Sequence, residues 1–308
     1  MISHLRSLKA VTENTARLFL YRIVGRPFYP LVKRLYSPPA SWRTRLRFIG
    51  KFKVRTKDGK SFYLYNAGFR LESNIYWSGL DNCNWEPMTR DIWTHLSTSA
   101  RTIFDVGSNS GLFAILAKVY HPEASVIAFE PQPNIFKVLR TNNHINGFDI
   151  LCNNIALSHE EGNVPFYNYG ATAFTTENTT AGSLNKQWRP DGQTSITVKA
   201  TALRTYIAEN NIQTIDLMKI DVETFEYEVL SGYGEYLYLH EPVLLLEIQD
   251  RAIGRSIESL FQKTSYSFFN IDEASGLRQV EALGTRKGDL NYLLCPASKL
   301  DRVRKFII

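Results

Sequence analysis

The spacing of apolar residues changes several times along the chain. Residues 3–24 place Leu5, Leu8, Val11, Ala16, Leu18, Phe19 and Ile23 at an imperfect helical spacing, with Arg and Lys between them. Gly25, Pro27, Pro30 and Pro38-Pro39 then interrupt that pattern. Near residue 48 the period falls to two. Phe52-Lys-Val54 and Ser61-Phe-Tyr-Leu-Tyr65 flank Asp58-Gly59, a dipeptide that favours a tight hairpin turn, so a β-hairpin is predicted. Pro87, suited to a first helical turn, opens a helical stretch to about Leu96.

From residue 102 strand and helix patterns alternate. Strands are predicted over 102–106, 125–130, 150–156, 197–203, 215–220, 243–248, 267–271 and 290–295. Helices are predicted over 111–120, 134–145, 203–210, 226–237 and 257–263, with a loop-rich stretch over 168–195. Strands alternating with helices imply an α/β fold with a mostly parallel sheet and right-handed crossovers. The last two strands lack a long helix between them and are expected to pair as an antiparallel hairpin at one sheet edge. The expected organisation is an arm over 1–47, a hairpin and helix capping the core over 48–100, and the α/β domain over 101–308.

Charge changes the picture of the arm. Residues 1–57 hold fourteen Lys and Arg against one acid, Glu13, a net +13; the whole chain is +6, so the remainder carries −7. The basicity belongs to the N-terminal segment and not to the body. Aromatics (Phe19, Tyr21, Phe28, Tyr29, Tyr36, Trp42) lie among these cations. Such a segment suits an anionic membrane surface, with rings at headgroup depth. The favoured reading is a solvated helix packing its apolar side on the body. No stretch reaches the roughly 18–20 uninterrupted apolar residues of a membrane span. Leu18-Phe19-Leu20-Tyr21 is cut by Arg22, which makes a poor signal peptide. Cys83, Cys152 and Cys295 are far apart and odd in number, which fits a reducing compartment better than a disulfide framework. A cytoplasmic protein, peripheral on a membrane face if the arm engages lipid, is the expectation.

The candidate chemistry sits at strand ends. Asp105-Val106-Gly107-Ser108-Asn109-Ser110-Gly111 follows an apolar strand and opens a helix. Open α/β sheets bind ligands at the carboxyl ends of their strands. The pattern D-x-G-x-x-x-G differs from the dinucleotide fingerprint, whose glycines bring a pyrophosphate onto a helix N-terminus. An acid before the first glycine suits a ligand with a positive end, and disfavours NAD. Glu130, 25 positions after Asp105, ends the next strand and can accept both hydroxyls of a ribose.

These elements resemble the class I S-adenosylmethionine-dependent methyltransferases, and more closely the FkbM family. The matching runs are FDVGSNSGLFA (104–114), VIAFEPQPNIFKVLRTNNHING (126–147), IALSHEEGNVPF (155–166), IDLMKIDVETFEYEVLSG (215–232) and EPVLLLEI (241–248). The resemblance implies a Rossmann-like fold with a mostly parallel seven-stranded sheet and an antiparallel C-terminal hairpin. It implies transfer of a methyl from S-adenosylmethionine to a hydroxyl of a sugar, glycan or natural product. Asp105, Gly107, Ser108, Asn109 and Gly111 would then line the methionine end of the cofactor. Glu130 would hold the ribose, with Pro131 and Gln132 beside it. Asn154, Ile155 and Ala156 would lie against the adenine, and Glu86 would reach the amino acid moiety. Thr224 stands where the family usually has Gly, which leaves a non-catalytic binding relative open.

The fourth strand carries Lys219, Asp221 and Glu223, which share a side if the strand persists. A structural ion pair is one reading. In the other, Asp221 borders the transferring methyl, and Asp221 or Glu223 takes the acceptor proton. Glu247, ending the fifth strand, could join them around Mg²⁺, which suits carboxylates without histidine; transfer without an obligatory metal is the favoured reading. Surface positions are expected for His144, His159 and His240. A nucleic-acid-binding protein or RNA methyltransferase using the basic arm is the alternative function. The acidic body weighs against it.

Overall fold

The computed structural model describes residues 28, 31, 33, 48–169, 181–191, 193–286 and 288–308. The expectations for the arm, its membrane contact included, therefore lie almost wholly outside the described residues. The chain divides into two compact units, one ending at Trp85 and one beginning at Glu86.

In the first unit, β1 (Ile49–Arg55) and β2 (Ser61–Ala67) form the antiparallel hairpin that the Asp58-Gly59 turn predicts, with Arg55 opposite Ser61. Alternation puts Phe52, Val54, Phe62 and Leu64 inside and Lys51, Lys53 and Arg55 outside. Helix α1 (Arg70–Ser78) closes over this face, and its Tyr76 stacks on Phe48 with centroids 3.9 Å apart. The turn into α1 is tied by Asn66, whose Oδ1 accepts from the Gly68 and Phe69 amides at 2.8 and 2.7 Å.

The second unit begins with α2 (Pro87–Ser97), β3 (Thr102–Val106), α3 (Leu112–Tyr120), β4 (Ser125–Phe129), α4 (Pro133–Asn146) and β5 (Leu151–Asn153). Next come β6 (Ala156–Ser158), β7 (Gly162–Tyr169), β8 (Gly182–Ser183), β9 (Gln193–Ala202) and α5 (Leu203–Glu209). The remaining elements are β10 (Leu217–Ile220), α6 (Glu226–Tyr233), α7 (Tyr236–His240), β11 (Val243–Glu247), α8 (Arg251–Phe261), β12 (Tyr266–Asp272), β13 (Gly276–Val280) and β14 (Asn291–Pro296).

The main sheet runs β13-β12-β14-β11-β10-β3-β4-β5. From β11 to β5 neighbours are parallel, and β14, β12 and β13 pair antiparallel. The five parallel strands read as continuous apolar runs because both their faces are covered. Phe104, Ile127, Met218, Leu244 and Leu294 belong to one buried core. The seven expected strands are present, and β13 adds an eighth. The pair at the edge is thus β12 with β13, while β14 inserts between β11 and β12 and still pairs with the latter.

Two further differences concern the third strand and the loop after it. The strand expected over 150–156 breaks at Asn154-Ile155, and β6 joins a second sheet ordered β6-β9-β7-β8. Asn154 holds the break: its Nδ2 donates to the carbonyls of Glu130 and Pro131 at 2.8 and 2.9 Å. The strand expected over 197–203 starts earlier, at Gln193, and as β9 it pairs along β7 over eight positions, so both ends of the stretch expected as loop are strand. The outer residues of β9 are polar, and Ile196, Val198 and Ala200 pack inward with Phe166. His144 and His159 are exposed as expected. His240 is not: it is 9% exposed, and its Nδ1 lies 2.9 Å from the Tyr233 hydroxyl, which gives the buried ring a polar partner. Among the described residues, no helix is long and apolar enough to cross a membrane.

Candidate active site

The carboxyl ends of β3, β4 and β10 meet around one backbone crossing. Gly107 leaves β3 at φ +78°, and its amide and that of Ser108 donate to the Phe129 carbonyl at 3.0 and 2.9 Å. On the other side, the Asp221 amide donates to the Val106 carbonyl at 3.0 Å. A Cβ on Gly107 would lie 1.9 Å from the Asp221 carbonyl oxygen. The first glycine of the D-x-G pattern is therefore what lets the turn pass between two strand tips.

This turn places the acids. Asp105, 1% exposed, accepts from the Ala114 amide at 3.0 Å and lies in register with Lys219 on β10. Glu130, 5% exposed, is gripped by two backbone donors: the Asn109 amide on Oε2 at 3.0 Å and the Gln132 amide on Oε1 at 2.8 Å. Each oxygen keeps a second lone pair. Ser108 Oγ donates to the Asp105 carbonyl at 2.5 Å and accepts from the Phe129 amide at 3.1 Å. Gly111, at φ +90°, caps α3, and Ala156 is buried on β6. Pro131 is bound through its carbonyl to Asn154, whose amide nitrogen is thereby engaged in holding the chain.

Lys219 is the positive centre. Its Nζ lies 2.5 Å from Asp221 Oδ2 and 4.6 Å from the centroid of the Phe113 ring. Burial alone would lower its proton affinity, but Asp221, Glu86 and Asp105 outweigh that and hold it above the usual lysine range. The ion pair of the structural reading is therefore present. Glu86 occupies the N-cap of α2, at φ +45°, but does not cap it. Glu273 does, accepting from the Met88 and Thr89 amides at 2.8 and 3.2 Å. Glu86 Oε2 is buried without a hydrogen-bond partner among the described residues.

Glu223 corrects the alternation argument. β10 ends at Ile220, and Glu223 and Thr224 follow in the left-handed region at φ +56° and +72°. That turn, and not strand register, sets Glu223 beside Glu247. Gln249 Nε2 bridges the two acids, donating to Glu223 Oε2 at 2.6 Å and Glu247 Oε2 at 2.8 Å. Gln249 was not singled out in the sequence. Its position two residues beyond a strand-end acid is the same signal that selected Asp221 and Glu223. Trp188, which donates from Nε1 to Gln249 Oε1 at 3.2 Å, gave no such signal, being an aromatic in a polar loop. Glu226 was also missed. It is fully buried, and its Oε1 accepts from the Val222 and Thr224 amides, both at 3.2 Å. Among the described residues, no group of three or more His, Cys, Asp or Glu is arranged to hold a metal ion.

Crowding these acids out of water raises their proton affinity. Burial pushes Glu86 up to about 8 and Asp105 up to about 6, with Lys219 opposing both. Burial pushes Glu130 up to about 7 against its two backbone donors. Glu223 rises to about 8 through burial and then Asp221 and Glu247; Glu247 rises to about 7 through burial and then Asp221. A carboxyl held higher in the folded than in the unfolded chain binds more protons when folded. Stability is then greatest below the unfolded value and is lost as pH rises through the folded one. Without ligand, the unfolding free energy should fall between pH 4.5 and about 8. Urea titrations at several pH values check this; a flat or rising profile contradicts it.

The arrangement is an anionic cradle at the strand ends, built on a glycine turn and centred on one ammonium. Residues 105–270 match the Methyltransferase FkbM domain. The chain belongs to the FkbM methyltransferase family. It is an S-adenosylmethionine-dependent methyltransferase with the Rossmann-like class I architecture. It is 30% identical over 182 residues to the 31-O-demethyl-FK506 methyltransferase FkbM of Streptomyces tacrolimicus, covering 51% of this chain and 70% of that one. It is 27% identical over 161 residues to the 2-O-methyltransferase NoeI of Sinorhizobium fredii, covering 48% and 63%. It is 27% identical over 130 residues to the hexuronic acid methyltransferase AglP of Haloferax volcanii, covering 42% and 48%.

Within the FkbM pattern, Thr224 replaces the usual glycine, and its φ of +72° shows why glycine suits the position. A β-branched residue there stores on the order of 1–3 kcal/mol of backbone strain. This chain offsets part of it with a contact that glycine cannot make: Thr224 Oγ1 accepts from Asn185 Nδ2 at 2.9 Å.

Proposed function

We propose that this chain transfers a methyl group from S-adenosylmethionine to a hydroxyl of a sugar, glycan or sugar-like natural product. The single observation that carries the reading is Glu130. A buried carboxylate aimed by two backbone amides, on the strand next to Asp105, is built to accept a pair of hydroxyls. The chemistry of the other donors fits the rest of that nucleoside. A Glu86 carboxylate oxygen, Oε2, buried without a hydrogen-bond partner among the described residues, and a buried Asp105 suit a ligand that brings positive charge into a site already crowded with negative charge. When bound, the cofactor supplies an electrophilic methyl. Gly107, Ser108, Asn109 and Gly111 shape the wall on the Asp105 side, and Asn154 and Ala156 the wall beyond Glu130.

The acceptor hydroxyl is a poor nucleophile until its proton can leave. Asp221 Oδ2 is engaged by the Lys219 ammonium at 2.5 Å, so this pair orients and balances charge. Glu223, pushed up to about 8, is a stronger base than an ordinary carboxylate, and its ionised form, which grows as pH rises through that value, is assigned as the base. Alignment of the two reactants and exclusion of water account for the remainder of the rate. Two relatives point the same way: one is a 2-O-methyltransferase and one a hexuronic acid methyltransferase.

The test is incubation of the full chain with methyl-labelled S-adenosylmethionine and a panel of glycans and polyol natural products. Label on an acceptor oxygen, with loss of transfer in Glu223→Gln of on the order of 100-fold or more, is the expected result. Failure to bind S-adenosylhomocysteine by calorimetry would overturn the proposal.

A further inference from the structure

The polar residues around Glu223 form a closed chain of donors and acceptors with one permissible orientation. Trp188 Nε1 is a donor only, and the carboxylates of Glu223 and Glu247 are acceptors. The amide of Gln249 stands between them, with its oxygen on the indole at 3.2 Å and its nitrogen on the two acids at 2.6 and 2.8 Å. With both acids ionised, turning the amide over would set its oxygen against both carboxylates and its NH₂ against the indole N–H, losing all three bonds. Trp188 is itself held: it is 6% exposed, and the Arg189 guanidinium lies 4.6 Å over its ring. The same loop fastens the turn that carries Glu223, through Ser183 Oγ donating to the Glu223 carbonyl at 2.6 Å.

We infer that Gln249, oriented by Trp188, is a positioning residue that fixes the Glu223 carboxylate toward the acceptor and keeps it apart from Glu247. This rests on the reading of Glu223 as the base. One hydrogen of the amide goes to each acid, so the two carboxylates, which repel when both are ionised, share a donor. The bond uses Oε2 of Glu223 and leaves Oε1 to receive the hydroxyl proton. Glu223 also faces Asp221 and Arg189; Glu247 faces Asp221, Lys219 and Arg189. Buried Glu226 bears on Asp221 and Glu247 from the turn below. An apolar side chain at 249 would fill the space without orienting anything.

The test uses the full chain labelled with ¹³C at the glutamate carboxyls and titrated by NMR, with Glu223→Gln and Glu247→Gln spectra for assignment. In Gln249→Met, which keeps the length and loses the donor, the Glu223 and Glu247 midpoints should rise by about one pH unit. In Trp188→Phe, which keeps the ring and loses only the N–H, the rise should be smaller and in the same direction. Trp188→Phe also serves should Gln249→Met fail to fold. Once an acceptor is in hand, the acid limb of kcat should move upward with the midpoints, while KM for S-adenosylmethionine stays as it was. Unmoved midpoints in a folded Gln249→Met protein overturn the inference, and so does a moved midpoint with an unmoved kcat profile. Full transfer activity in Glu223→Gln is a different failure. It removes the base assignment while leaving the NMR shifts as predicted.

Discussion

Alanine at position 107 should cost about 3 kcal/mol or more of stability and abolish cofactor binding, although it adds a single methyl group. The added carbon would sit 1.9 Å from the carbonyl oxygen of Asp221, a backbone atom at the tip of a central strand that cannot rotate away. The φ of +78° adds a conformational penalty of roughly 1 kcal/mol to the clash. Relief would require β3 and β10 to part at their carboxyl ends, where Asp105 and Lys219 lie in register. Gly147→Ala is the control. Its φ is +66°, but nothing lies within 4 Å of the new carbon, so only the conformational penalty applies, about 1 kcal/mol. Urea unfolding measures both. Equal losses would mean that the crossing of strand tips is looser than the distances indicate.

Glu130→Gln should weaken S-adenosylmethionine by on the order of 100-fold, and S-adenosylhomocysteine by the same factor. Two hydrogen bonds to a charged carboxylate contribute about 3 kcal/mol together, and the amide offers acceptors on one atom only. Its NH₂ would also face either the Asn109 or the Gln132 amide, donor against donor. The two ligands share the ribose and differ in the methyl and its charge. Equal loss therefore locates Glu130 at the sugar. A loss confined to S-adenosylmethionine would place it near the sulfonium instead. Calorimetry on both ligands separates the outcomes.

Much of this architecture was legible because its signals are local. Asp58-Gly59 dictates a hairpin, and the apolar runs of β3, β4, β10 and β11 can be nothing but strands buried on both faces. The second sheet was less visible, since β9 is mostly small or polar and is buried continuously only at its end, over 200–202. The eighth strand, Gly276–Val280, was missed because its edge position leaves Arg278 and Gln279 exposed and its apolar signal short. Of the candidate site, Asp105 and Glu130 could be found from their strand-end positions. The environment of Glu223 could not.

By itself, the sequence determined the order of the parallel strands and the helices between them, the turn after β3 and the acids that end β3 and β4. Each of these follows from residue types within a few positions of one another. The tertiary structure alone decided that Gln249 and Trp188 hold Glu223 and Glu247, and that Glu86 Oε2 is buried without a hydrogen-bond partner among the described residues. Those contacts join residues from separate segments of the chain, and no local periodicity encodes which distant loop will supply a donor. The proton affinities follow from the same cause: burial and neighbouring charge are properties of the packed molecule, and both arise only after the strand tips have converged.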